Sequence, residues 1–220
     1  MHEDILVIYG ERSYIGNSFK SYLETKPVDV ITVGSKDCDY TYLDFEKDIP
    51  LDKVKYLVYA TGRAQVPNSK VENNLITFDI NTFQFFDLIE RIEDRLDKDA
   101  SIVYISSGHS VRASDINPYY ASSKAAVNSF VVSYSKKFAK MNLKDGGTRR
   151  INALAPEAID SPMIDRMVGL DNNVNMISYV ATRPNYRLLD VEEVLHPLYF
   201  LLSNKSTGVN GQVLVLGGVK

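Results

Sequence analysis

The chain has 220 residues, 45% of them hydrophobic and 24% charged, with a formal net charge of -3. This is the size and balance of one globular domain with a large core, and the mixed charge argues against nucleic acid or an anionic membrane as the main partner. Cys38 is the single cysteine, which excludes an internal disulfide.

Seven short apolar runs read as strands, with helical patterns between most of them. The first, ILVIY at 5–9, runs into GERSYIG and a helical pattern over 17–24. Strands follow at 28–33, 40–43 and 55–60, and only 44–53 separates the last two, too short for a full crossover helix. A long helical pattern covers 73–96, then a strand at 101–106, a helix at 119–141 and a strand at 150–155. Pro156 to Arg187 carries three prolines, Gly169 and the run DNNVN, and reads as a mobile insertion with a short helix at 163–168. A helix at 190–203 has acids in its first turn, and Pro197 within it implies a kink or an offset start. A strand at 212–217 follows.

The strands are almost continuously apolar rather than alternating, as in a parallel sheet covered on both faces. Strands alternating with helices predict an α/β protein, a doubly wound, mostly parallel sheet of seven strands in a single domain over 1–220. Ligands are then expected at the carboxyl ends of the strands. No apolar stretch reaches the length of a membrane span. The start, MHEDILVIYG, lacks the basic residues of a secretory signal, so a cytoplasmic location is expected. No His/Cys/Asp cluster has metal-ligand spacing, so no metal site is expected.

Gly10 ends the first strand and Gly16 opens the helix after it. A helix start offers unpaired N–H groups and a positive dipole end, and glycine lets a pyrophosphate approach the backbone. Ser13 and Tyr14 stand where a middle glycine is usual. Taken alone, the loop reads equally as a tight turn with a glycine at each end.

NPYYASSKAAV places Tyr120 and Lys124 four apart, on one helix face. A neighbouring ammonium favours the phenolate, and lowering a phenol by about three units takes roughly 4 kcal/mol. Ser107, in YISSGHS, precedes Tyr120 by 13 residues. Two hydroxyls converging on one oxygen would orient and polarise a carbonyl. Each motif alone also fits an ordinary surface helix or a polar strand end.

Together these motifs resemble the short-chain dehydrogenase/reductase family, in its single-domain branch. The likeness extends through INALAPEAIDSPM and YRLLDVEEVLHPLYFLLSNKSTGVNGQVLVLGG. It implies a Rossmann-like fold and an NAD(P)-dependent oxidoreductase that interconverts a carbonyl and an alcohol. Ser107, Tyr120 and Lys124 match the catalytic trio, and Asn81 the asparagine of the proton relay. Tyr120 would be the general acid or base, Ser107 would hold the substrate oxygen, and Lys124 would bind the ribose and lower the Tyr120 pKa. The dinucleotide would meet Gly10, Arg12, Ser13, Tyr14, Ile15 and Gly16 at the loop. It would meet Asp44 at the adenine and Ala60, Thr61 and Gly62 after the fourth strand. Pro156, Ile159 and Ser161 would lie at the nicotinamide, and the loop at about 157–187 would cover the substrate.

The sequence departs from the family's pattern at several points. Ala60 replaces a structural asparagine, Glu157 the glycine after Pro156, and Leu216 an aspartate. After the second strand, Ser35 and Lys36 stand where an acid selects NAD, and Lys36 with Arg12 would suit a 2′-phosphate. These point to NADP(H), while Asp37 keeps NAD(H) open. His109 and Arg112 follow Ser107 and are candidates to reach the substrate.

Two other readings stand beside this one. One is a non-catalytic dinucleotide-binding protein that regulates or assembles with partners. The other is a nucleotide-sugar epimerase or dehydratase, disfavoured because a further C-terminal domain is expected there. The resemblance also implies a homodimer or homotetramer through the two long helices, compatible with the apolar TFQFFDLI and VNSFVVSY.

Overall fold

β1 (Ile5–Tyr9) lies inside a sheet whose strands all run parallel. The other strands are β2 (Asp29–Val33), β3 (Val54–Tyr59), β4 (Leu96–Ile105), β5 (Arg150–Pro156) and β6 (Val213–Leu216). They form one six-stranded sheet in the order β2-β1-β3-β4-β5-β6. The computed structural model describes residues 4–34, 54–64, 71–112, 117–162, 164 and 176–218. The strand expected at 40–43, and most of the helix expected at 163–168, lie outside the described residues.

Helices cover both faces, which is why the strands carry apolar residues at successive positions. On one face α3 (Gln84–Ile92) and α4 (Pro118–Asp145) pack Phe85, Leu88, Val127, Val131 and Phe138 on the inner side chains of β1, β3, β4 and β5. On the other, α1 (Tyr14–Leu23) and α6 (Glu192–Leu202) contribute Phe19, Leu23, Val194, Leu198 and Leu201. The strand order steps outward from β1 in both directions, so a crevice opens at the carboxyl ends of β1 and β3.

Local chemistry sets the helix limits. Pro118 opens α4, where its missing N–H costs nothing, and Gly146 ends it at φ +70° with its N–H on Asn142 O. Pro197 lies inside α6 rather than at an offset start. The buried Arg150 Nη2 lies 3.1 Å from Ser203 O at the carboxyl end of α6, where a cation meets the negative end of the dipole.

The helix expected at 73–96 is two helices joined by a wider turn. α2 (Val71–Phe78) passes through a π-turn at Asp79–Phe83 into α3. The strand after it starts at Leu96, earlier than the sequence pattern indicates, and is irregular there: its pairing with β3 jumps from Val54↔Leu96 to Tyr56↔Ser101. The insertion holds a further helix, α5 (Met176–Ala181). Among the described residues, no helix is long and apolar enough to cross a membrane.

Candidate active site

The turn after β1 is built on two glycines and a serine. Gly10 has φ +92°, and a Cβ there would lie 2.6 Å from Thr61 N, so the ends of β1 and β3 touch. A Cβ on Gly16 would overlap Gly10 O. Ser13 caps α1: its Oγ accepts from Gly16 N at 3.0 Å and donates to Gly10 O at 2.7 Å. The N–H groups of Tyr14 and Ile15, next in the first turn, have no acceptor within the helix. Tyr14 is 40% exposed and lines the cavity beside the turn.

Glu11 lies beside this turn and was not singled out from the sequence. Its carboxylate accepts a 2.6 Å hydrogen bond from Thr32 Oγ1 at the end of β2, and its side chain fills the space over Gly34. An acid thus stands at the end of β2, supplied by the loop after β1.

Ser107 follows β4, Tyr120 sits in the first turn of α4, and Lys124 lies one turn further on. The neighbouring Ser106 is committed elsewhere, to Asn128 Oδ1 at 2.8 Å and Ser110 Oγ at 3.0 Å. Lys124 is buried, donates to Ile105 O at 2.8 Å and stands 4.5 Å from the Tyr104 ring centroid. Burial lowers it to about 7. Burial raises the Tyr120 phenol, and the Ser107 hydroxyl beside it pulls in the opposite direction. In this state the phenol is thus held up rather than lowered.

The π-turn supports this group from behind. Tyr9, Tyr59 and Tyr104 stack across three adjacent strands, with centroids 6.1 and 5.7 Å apart. Tyr59 donates its hydroxyl to Ile80 O at 3.0 Å, and Tyr104 to Asn81 O at 2.7 Å. The Asn81 amide binds Arg63 N, Arg63 O and Ser123 Oγ at 2.8–3.0 Å. Its side chain thereby ties β3's exit to α4, and its backbone carbonyl accepts from Tyr104.

Glu157 does not point into solvent. It is 6% exposed and accepts from Arg112 Nη2 at 3.0 and 2.8 Å, with Arg183 Nη1 3.7 Å away. A Cβ on Gly108 would overlap its Oε1. His109 packs edge-on to Tyr120 at 6.4 Å, and burial, then Arg112 and Arg183, lower it to about 4.

These groups surround one cavity of about 180 Å³. It brings together Ser13, Tyr14, Ile15, Ala60 and Gly62 with Ser107, Tyr120 and Lys124, and with Pro156, Ile159 and Ser161. Gly10 and Gly16 lie behind its loop, Thr61 touches Gly10, and Asn81 adjoins it through Gly62. Arg12 is exposed and is not among the residues lining the cavity. Ser35, Lys36 and Asp44 lie outside the described residues. Tyr179 and Arg183 line the cavity from the insertion, where the sequence pattern gave no periodicity to mark them.

The family model described as enoyl-(acyl carrier protein) reductase matches residues 48–219. A 3-oxoacyl-[acyl-carrier-protein] reductase of Chlamydia muridarum is 32% identical over 121 residues, 55% of this chain and 45% of that protein. A tropinone reductase homolog of Datura stramonium is 29% identical over 120 residues, 54% of this chain and 42% of that protein. The matched stretches thus span less than half the length of these curated relatives. Among solved structures, aldohexose dehydrogenase of Thermoplasma acidophilum superposes with TM-score 0.82 at 19% identity, covering 98% of this chain and 92% of that one. A 3-oxoacyl-[acyl-carrier protein] reductase of Brucella melitensis gives 0.80 at 21%, covering 99% and 91%.

Proposed function

The chain belongs to the short-chain dehydrogenase/reductase superfamily, and from that premise we propose that it is an NAD(P)-dependent oxidoreductase interconverting a carbonyl and an alcohol. The observation that carries this is the single cavity joining the start of α1 to Ser107, Tyr120 and Lys124. The residues fit a dinucleotide. Gly10 and Gly16 leave no room for side chains behind the turn, Ser13 caps the helix, and the Tyr14 and Ile15 N–H groups are aligned for a pyrophosphate. Ala60 and Gly62 continue the floor toward Pro156, Ile159 and Ser161.

When bound, the nicotinamide gives or takes a hydride. Ser107 and Tyr120 orient the substrate oxygen, and Tyr120 gives it a proton in reduction or removes one in oxidation. Lys124 holds the ribose and, when protonated, draws the phenol toward phenolate. The Asn81 side chain is held by Arg63 and Ser123, and it positions the floor beside Lys124 rather than passing a proton itself.

Two sets of residues act on dinucleotide choice. Lys36 and Arg12 are proposed to favour NADP(H). Glu11, at the end of β2, opposes a 2′-phosphate and suits a free 2′-hydroxyl. Self-association is proposed through α3 and α4, where Phe86 and Phe130 stack at 4.1 Å beside the exposed Phe83.

A second reading, a dinucleotide-binding protein without turnover, draws support from the buried carboxylate of Glu157 next to Pro156. Binding of NADH and NADPH by fluorescence, followed by a carbonyl screen with wild type and Tyr120→Phe, separates the two. Turnover lost in Tyr120→Phe supports the enzyme. Binding with no turnover across a broad screen supports the second reading, and no binding at millimolar concentration defeats both.

A further inference from the structure

Among the described residues, one wall of the cavity holds more positive charge than it balances. Arg183 is 7% exposed and lines it. Its Nε and Nη2 donate to Thr182 Oγ1 at 3.1 and 2.7 Å, and its guanidinium lies 4.5 Å from the Tyr179 ring centroid. Its Nη1 is 3.7 Å from Glu157 Oε2, beyond hydrogen-bond reach, and has no hydrogen bond among the described residues. Arg112 holds both oxygens of that carboxylate through Nη2, and its Nε is buried without a partner. Glu157 is the only carboxylate among the described residues lining the cavity. Among the described residues, two guanidiniums thus meet one acid, an excess of one positive charge on side chains that are themselves largely buried, where an anion is attracted more strongly than at the surface. His109 reports the same field, since both arginines help keep it neutral.

We propose that this wall is a carboxylate-binding subsite, and that the substrate is a small oxo acid or hydroxy acid. Its carboxylate meets Arg183 Nη1 while its carbonyl or alcohol oxygen meets Ser107 and Tyr120. The inference rests on the oxidoreductase reading and names its substrate class. One carboxylate brings the wall to neutrality, whereas a doubly charged phosphate would overshoot it. With Nε and Nη2 held by Thr182, the unmet Nη1 gives a carboxylate oxygen a charged donor already in place.

The test compares short 2-oxo and 3-oxo acids with their methyl esters. Calorimetry measures binding to the protein–dinucleotide complex, and kcat/KM is measured beside it. The acids should bind at least about tenfold tighter than the esters in the wild type. Arg183→Leu should abolish that difference, and Arg183→Lys should keep part of it. Glu157→Gln, which removes the balancing charge, should tighten the acids relative to the esters. Melting curves and dinucleotide binding show whether each variant is folded. Esters bound as tightly as acids by the wild type, or an equal loss for both in Arg183→Leu, overturns the subsite. Reduction of neutral ketones alone also overturns it while leaving the oxidoreductase reading intact. Failure to bind any dinucleotide defeats that underlying reading instead.

Discussion

Gly108 and Glu157 share one space: the Glu157 carboxylate occupies the volume that a side chain at 108 would need. Gly217 gives way on the other side, where a Cβ would lie 2.8 Å from Glu157 Cβ. Gly108→Ala is therefore expected to lose about 2 kcal/mol of stability, within the usual range for overpacking. In urea unfolding, the double variant Gly108→Ala/Glu157→Ala should lose less than the sum of the two single losses. Strict additivity would mean that the carboxylate swings aside freely.

Tyr120→Phe removes the group proposed to move the proton and leaves the ring in place. Turnover should fall by about 100-fold or more. Dissociation constants for NADH and NADPH should stay within about twofold, because the pyrophosphate turn is untouched. Unchanged turnover would assign the proton step elsewhere.

Glu11→Gln keeps the shape at the end of β2 and removes its charge. The ratio of NADPH to NADH affinity should rise by about tenfold, equivalent to about 1.4 kcal/mol. The shift should shrink at high salt, since the effect is electrostatic. An unchanged ratio would place the 2′ position away from Glu11.

His109 is held at about 4, below its ordinary 6.5, by burial and then by Arg112 and Arg183. A depressed folded-state pKa means that the unfolded chain takes up the proton first. This contribution to stability is complete above pH 6.5 and is lost as the pH falls through 4. It amounts to on the order of 2 kcal/mol after allowing for partial solvent contact. His109→Gln should flatten that part of the stability–pH curve, measured by chemical denaturation at each pH. A curve as steep as the wild type's would point to the carboxylates instead.

The sheet was legible because its strands carry a signal that local sequence retains. β1 matches the apolar run ILVIY residue for residue, and β2, β3, β5 and β6 agree within a residue at each end. β4 was read short because its first half, LDKDA, is polar; those residues join the sheet through an irregular pairing that no periodicity encodes. Ser107, Tyr120 and Lys124 could be singled out because their spacing resembles a family pattern, and the fold sets all three on one cavity. Glu11 and Arg183 were not, since each gains its meaning from a partner distant in sequence, Thr32 for one and Glu157 for the other. The proximity of Glu157 to Pro156 was evident, but its burial between two arginines was not, because only the fold brings residues 112 and 183 to it.

The π-turn at Asp79–Phe83 lets one helical rod serve two masters in angle. Each residue advances an α-helix by about 100°, so one extra residue within a turn rotates everything beyond it by that amount. Within the offset, Asn81 and Thr82 aim at Arg63 and Ser123; beyond it, Phe85, Leu88 and Ile92 aim at the sheet. Shortening this segment by one residue would dial the two halves out of phase. The chain would then have to surrender either the bracket that joins β3 to α4 or the apolar seam of α3. A length change here is thus a rotation of the floor of the candidate site relative to the core, which no substitution of side chains alone would undo.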